Sequence, residues 1–238
     1  MSCNRTPPFW SLISNGEHIV GCTGQTVYVY DINNNLLAKF PKHRYVYTAA
    51  FSPAGDMFAV KSVEGYLAFY SLEDYTLLKK FRFSKVEGSQ DDGYCFNSDG
   101  TEFYNIERQI NSCRTALSIY FTTDFSMKKQ LFLENSNIVL QQIEYDYETD
   151  CFYIMGFFRR DKDNPNIRYF VAKLIDDIIA DQIIVNIKEY NECIAYLETL
   201  KMGSSKMAME YFKSNKINVS EINIMTISTL WDKHSLNK

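Results

Sequence analysis

The sequence predicts a mainly β fold of about four repeated four-stranded antiparallel units, and three observations predict it. First, a turn of the Ser-Pro-Xaa-Gly-Asp kind recurs between apolar strands, clearest at Phe51-Ser52-Pro53-Ala54-Gly55-Asp56. Relatives are Leu12-Ile13-Ser14-Asn15-Gly16-Glu17 and Phe96-Asn97-Ser98-Asp99-Gly100-Thr101, with a worn copy at Tyr145 to Asp150. Second, the turn positions Gly16, Gly55, Gly100 and Asp150 lie 39, 45 and 50 residues apart. Repeats of about 40 to 50 residues with several strands each mark a propeller-type array, in which every unit buries its faces on its neighbours. Third, the chain carries 17 Tyr and 17 Phe, an excess that suits pleated, half-buried strand surfaces.

The units read in order. Unit one runs through Phe9 to Ile13, His18 to Cys22, Thr26 to Asp31 and Leu36 to Phe40, with alternation strongest in Val27-Tyr28-Val29-Tyr30. Unit two runs through Val46 to Phe51, Met57 to Lys61, Tyr66 to Tyr70 and Tyr75 to Phe83, joined by hairpin-length turns. Unit three follows a polar loop with Gly93 to Phe96, Glu102 to Ile106, Ala116 to Phe121 and Lys128 to Leu133. Unit four runs through Ile138 to Tyr145, Cys151 to Phe158, Ile167 to Ile175 and Asp181 to Ile187, with Asp161 to Asn166 as turn chemistry.

Beyond about residue 190 the spacing changes: Ile194, Leu197 and Leu200 recur at helical intervals. Helices are expected over Glu192–Lys201 and Ser205–Ser214, while Val219 to Trp231 fits either a strand or a helix face. The organisation is thus residues 8–189 as blades and 190–238 as a helical cap or a partial closing blade. An open arc of units capped by helices is the arrangement favoured over a closed four-blade ring, since the ends of an array need protection.

Unit two resembles a WD40-type repeat. The likeness rests on His43, Val46, Ala49-Ala50-Phe51-Ser52-Pro53-Ala54-Gly55-Asp56 and the strand ending Phe69-Tyr70-Ser71. Unit one matches at Tyr30-Asp31, where that family usually has Trp-Asp, and units three and four keep the hydrophobic outline alone. Lys42-His43 stands in place of the usual Gly-His, and Glu64 is the nearest substitute for the usual turn aspartate. The resemblance, to a degenerate WD40-like β-propeller over residues 9 to 189, implies a rigid scaffold whose loops hold a protein or peptide.

Composition bounds the function. Net charge is −4 with no basic tail, so the dense cation array that nucleic-acid binding rests on is not expected. No run of 18 apolar residues occurs, so no membrane span is expected, and the N-terminal residues hold no apolar stretch of signal-peptide length, so no export signal is expected. The six cysteines (Cys3, Cys22, Cys95, Cys113, Cys151, Cys193) are scattered and read as reduced core thiols of a cytoplasmic protein.

For chemistry, the three histidines His18, His43 and His234 are far apart, and His43 reads as a group bonding within its own blade. No nucleophile elbow, phosphate loop or cysteine signature is present. Glu144, Asp146, Glu148 and Asp150 alternate and read as a solvated face with Tyr145 and Tyr147 packed inward. The competing reading is a carboxylate set inviting Ca²⁺ or Mg²⁺. Tyr45 and Tyr75, near turns, are expected to face outward. The expectation is therefore a non-catalytic protein- or peptide-binding scaffold with no catalytic, cofactor or metal residues and an unknown binding surface. The alternatives are a lactonase- or glycoside-type propeller enzyme with a metal in its central channel, and a homodimer through unclosed blade edges.

Overall fold

The computed structural model describes residues 9–84, 93–108, 115–132, 137–161, 165–176, 178–202, 230–231 and 233–234. Blade one comprises β1 (Ser11–Ser14), β2 (His18–Cys22), β3 (Val27–Asp31) and β4 (Leu36–Phe40). Blade two comprises β5 (Val46–Phe51), β6 (Met57–Ser62), β7 (Tyr66–Ser71) and β8 (Leu77–Arg82). Blade three holds β9 (Tyr94–Phe96), β10 (Glu102–Arg108), β11 (Thr115–Phe121) and β12 (Met127–Phe132). Blade four holds β13 (Ile138–Asp146), β14 (Cys151–Phe158), β15 (Arg168–Ile175) and β16 (Ile178–Val185), and helix α1 (Ile187–Met202) follows. Each sheet pairs its strands in chain order, every pair antiparallel, so the fold is four propeller-like blades with a C-terminal helix.

The backbone repeats more faithfully than the side chains. The four turn positions read from the sequence all adopt positive φ: Gly16 88°, Gly55 74°, Gly100 76° and Asp150 51°. That is why three are glycine and the fourth is an aspartate, which tolerates the left-handed region better than most residues. A second series was legible at Asn34 alone, within the Asn33-Asn34-Asn35 turn. Asn34, Tyr75, Phe125 and Asp176 also have positive φ, each two residues ahead of the outermost strand of its blade. The register between the third and fourth strands slips at matching places, Val29/Tyr30, Phe69/Tyr70 and Ile119/Tyr120, and again at Val171/Lys173 in blade four. A bulge there adds twist to the outer edge of each blade.

Side chains alternate between the two faces of each strand, and in these blades both faces are covered. Ala49, Phe51, Phe58, Val60, Ala68 and Tyr70 pack toward Val20, Cys22, Val27 and Val29 of blade one. Their alternates Ala50, Ala59, Leu67 and Phe69 pack toward Tyr94, Phe96, Phe103 and Tyr120 of blade three. A third cluster joins blades three and four through Ile106, Leu117, Ile119, Leu140, Ile143 and Phe170. The fourth joins the far face of blade four, through Tyr153, Met155 and Val171, to Tyr190, Cys193, Tyr196 and Leu197 of α1. The helix thus occupies the place where a fifth sheet would pack, and it also meets β1. The outermost strands β4, β8 and β12 leave Leu36, Leu77, Met127 and Phe132 exposed.

Two boundaries differ from expectation. α1 begins at Ile187 rather than Glu192, because Asn186 and Glu189 form a capping box. The Asn186 side chain accepts from the Lys188 and Glu189 amides, at 2.9 and 3.0 Å, and the Glu189 carboxylate accepts from the Asn186 amide at 3.1 Å. β16 accordingly starts three residues and ends two residues earlier than the sequence suggested. The expected second helix, Ser205–Ser214, and the ambiguous 219–229 stretch lie outside the described residues, while Leu230 and Trp231 are helical and pack on blade four.

Candidate functional site

The inner strands converge on one another: β5 contacts β1 and β9, and β9 contacts β13. α1 completes the circuit. At the end where the inner strands begin lies a cavity of about 440 Å³. Blade one contributes Trp10 and Ser11, blade two Tyr47 and Thr48, blade three Gly93, blade four Gln142, and the helix Glu198 and Lys201. The narrow spacing has a backbone cause. A Cβ on Gly93 would lie 2.7 Å from the Ile143 amide nitrogen, so glycine there lets blades three and four close on each other.

Below this mouth the channel is filled. Lys201 reaches down from the last turn of α1, its Nζ 3.9 Å from Glu144 Oε1 and 4.6 Å from the centroid of the Tyr94 ring. Both charged side chains are almost wholly buried. Gln142 Nε2 donates to Glu144 Oε1 at 3.2 Å and lies 3.5 Å from Glu198 Oε1. Tyr94 donates its hydroxyl to the Thr48 carbonyl at 2.6 Å, and Ser11 donates to Thr48 Oγ1 at 3.1 Å. Burial raises the Glu144 carboxyl to about 8, the pull of Lys201 offsetting only part of that cost. Burial likewise pushes the Cys22 thiol up to about 12 and the Cys95 thiol well above its ordinary value, leaving both as inert core groups rather than thiolates.

The acidic series does not form the solvated face expected from its alternation. Glu144 and Asp146 are buried, at 1% and 0% exposure, because the inner strand of blade four is covered on both sides. Asp146 accepts from the Tyr196 hydroxyl at 2.8 Å and from the Glu148 amide at 2.9 Å. Glu148 and Asp150 do sit exposed in the turn, and Tyr145 packs inward against Phe152. Among the described residues no group of three or more His, Cys, Asp or Glu is arranged to hold a metal.

The histidines remain apart. His43 bonds within blade two as expected, its Nε2 2.8 Å from the Tyr70 hydroxyl. Burial, with Lys80 nearby, lowers its pKa to about 4. His18 lies 3.4 Å from the Tyr75 hydroxyl, and burial lowers its pKa too. His234 stands 3.6 Å from Glu189. Tyr45 faces outward at 56% exposure, but Tyr75 packs on the cluster between blades one and two. Sequence reading missed Trp10, Gln142, Glu198 and Lys201. Trp10 alone carried a signal, a large aromatic just ahead of the first strand.

The solved structures that share this fold include two β-propeller proteins. One is Kuenenia stuttgartiensis hydrazine synthase, with TM-score 0.56 and 9% identity, covering 78% of this chain and 53% of that chain. The other is U3-55K, with TM-score 0.53 and 14% identity, covering 76% of this chain and 52% of that chain. The chain therefore spans about half the length of either, and at these identities the likeness is one of fold. No family model and no curated protein matches the chain in sequence. Among the described residues, no helix is long and apolar enough to cross a membrane.

Proposed function

We propose that this chain is a degenerate WD40-like repeat protein that serves as a non-catalytic scaffold, holding a protein or peptide at the mouth of its central channel. The observation that carries the reading is that one cavity is lined by residues of all four blades and the helix, with the Gly93 backbone standing for blade three, above a filled channel. Trp10 is 59% exposed at its rim, its indole lying against Gly24, and large aromatic side chains on a rigid frame are typical interface anchors. Gln142 and Glu198 supply hydrogen-bonding groups beside it. The WD40-like reading draws support from the His43–Tyr70 bond, which links the histidine and the strand-end aromatic that carried the sequence resemblance.

The metal-enzyme alternative wants carboxylates converging from several blades. Here Glu144 of blade four is engaged by Lys201 and Gln142, and the flanking groups are Tyr94 and two high-pKa thiols, which favours the scaffold reading. A cytosolic setting accords with the free thiols of Cys22, Cys95, Cys151 and Cys193. The test compares partners captured from native lysate by the wild-type chain and by a W10A/E198K variant. Partners held by the wild type and lost by the variant support the mouth as the docking site; the same set held equally by both overturns it.

A further inference from the structure

A second cavity, of about 300 Å³, lies beside the first and has a different chemistry. Lys42, His43 and Arg44 from the loop between β4 and β5 line it, with Ser62 of β6, Tyr66 of β7 and Lys80 of β8. Ser62 lines this cavity and its neighbour Val63 lines the central one. Three of the six groups carry fixed positive charge. Arg82 adds a fourth nearby, its guanidinium 5.5 Å from the centroid of the Tyr66 ring that Lys80 approaches to 5.7 Å. Among the described residues, the acidic side chain bound to this set is Glu64, 3.4 Å from Arg44 Nη1. With Arg44 76% exposed, that pair contributes little and exchanges readily for a better acceptor. Among the described residues, no acidic side chain pairs with Lys42 or Lys80.

The loop is held rather than loose. The His43 amide donates to the Gln25 carbonyl at 3.0 Å, and its ring is bonded to Tyr70. Ser62 Oγ donates to the Arg44 carbonyl in a short hydrogen bond. Lys42 and Tyr45, flanking His43 and Arg44, both sit at positive φ, 70° and 53°. Non-glycine residues adopt that region at a cost, and such strain gathers where side chains must be aimed. A molecule of net charge −4 that gathers cations around one small hollow attracts a compact anion there while repelling long polyanions.

We propose that the hollow between the β4–β5 loop and blade two binds a phosphate monoester of the kind carried by a phosphorylated serine or threonine in a peptide. The guanidinium of Arg44 and the ammonium groups of Lys42 and Lys80 supply charge-assisted hydrogen bonds to its oxygens. Tyr66 forms the wall against which the neighbouring peptide packs. The dianionic, multi-acceptor phosphate matches three donors where a single carboxylate does not.

The test uses phosphorus NMR of the full chain at about 0.15 M salt, where exposed surface charge is screened. The probes are inorganic phosphate and acetyl-glycyl-phosphoseryl-glycine amide, with calorimetry of the unphosphorylated peptide and of oligothymidylate as comparisons. Both phosphorus probes are expected to broaden on binding, and the unphosphorylated peptide is not expected to bind. R44Q/K80Q should weaken binding by about tenfold or more, while W10A leaves it unchanged, which separates this site from the central mouth. Binding of inorganic phosphate without the phosphopeptide, or tighter binding of oligothymidylate, overturns the peptide assignment. No binding of either phosphorus probe, or binding that R44Q/K80Q leaves intact, overturns the site. Should R44Q/K80Q lose its circular dichroism, K42Q on the exposed loop carries the same comparison.

Discussion

Glu144 sits where an ionised carboxylate is costly, and its behaviour with pH follows. With the folded pKa raised to about 8, the folded chain keeps a proton that the unfolded chain releases near the ordinary carboxylate value. Stability from this group is full at low pH and is lost as pH rises toward about 8. Glu144→Gln removes the titration. Between about pH 5 and 8.5 the wild-type Tm should fall relative to the variant by roughly 5 °C or more. Thermal scans of the two proteins check this, and a constant gap would contradict a buried, protonated Glu144. His43 works in the opposite sense. Its folded pKa is lowered to about 4, so its contribution is present above about 6.5, its unfolded value, and is lost as pH falls toward 4. Tyr70→Phe leaves His43 Nε2 without its 2.8 Å partner and should cost about 1–3 kcal/mol in urea unfolding near neutral pH. A loss under 0.5 kcal/mol, about the size of a neutral surface change, would show the bond to be incidental.

Single elements explain which parts of the fold could be read in advance. The first turn of each blade was legible because positive φ demands glycine or a short polar residue, and Gly16, Gly55, Gly100 and Asp150 supplied it. The turn before the outer strand was legible in blade one, where Asn33-Asn34-Asn35 is turn chemistry, and not in blades two and three, because Tyr75 and Phe125 take that same region although nothing in their chemistry favours it. The start of α1 was written in Asn186-x-x-Glu189 and overlooked in favour of apolar spacing. Glu144 and Asp146 were misread because alternation alone cannot tell a strand with one wet face from one covered on both. Gly156 marks how closely β13 and β14 are packed. A Cβ there would lie 2.2 Å from the Val139 carbonyl oxygen and 2.8 Å from the Phe170 ring. Since a paired backbone oxygen cannot yield without breaking the ladder, Gly156→Ala should destabilise the protein by about 3 kcal/mol or more, or prevent soluble expression. An unchanged denaturation midpoint would contradict the packing of blade four.

At the scale of the molecule, the helix is what lets four blades suffice. It covers the face of blade four that, among the described residues, no further sheet meets, and through Lys201 it fills the channel. Leu197, buried completely in that contact, is the sharpest probe. Leu197→Asp should place an unpaired charge among Tyr153, Met155 and Val171 and expose a sheet face, giving aggregation that light scattering detects; a monodisperse, fully stable variant would contradict the helix as closure. The candidate site was the least legible feature, because its residues are separated in sequence and meet only when the ring is assembled.

The scaffold reading and this closure meet in a single measurement, hydrogen–deuterium exchange of the chain alone and bound to a captured partner. Protection should gather around Trp10, Tyr47, Gln142 and the last turn of α1. Protection confined to the outer strands β4, β8, β12 and β16, with the channel mouth unchanged, would contradict it.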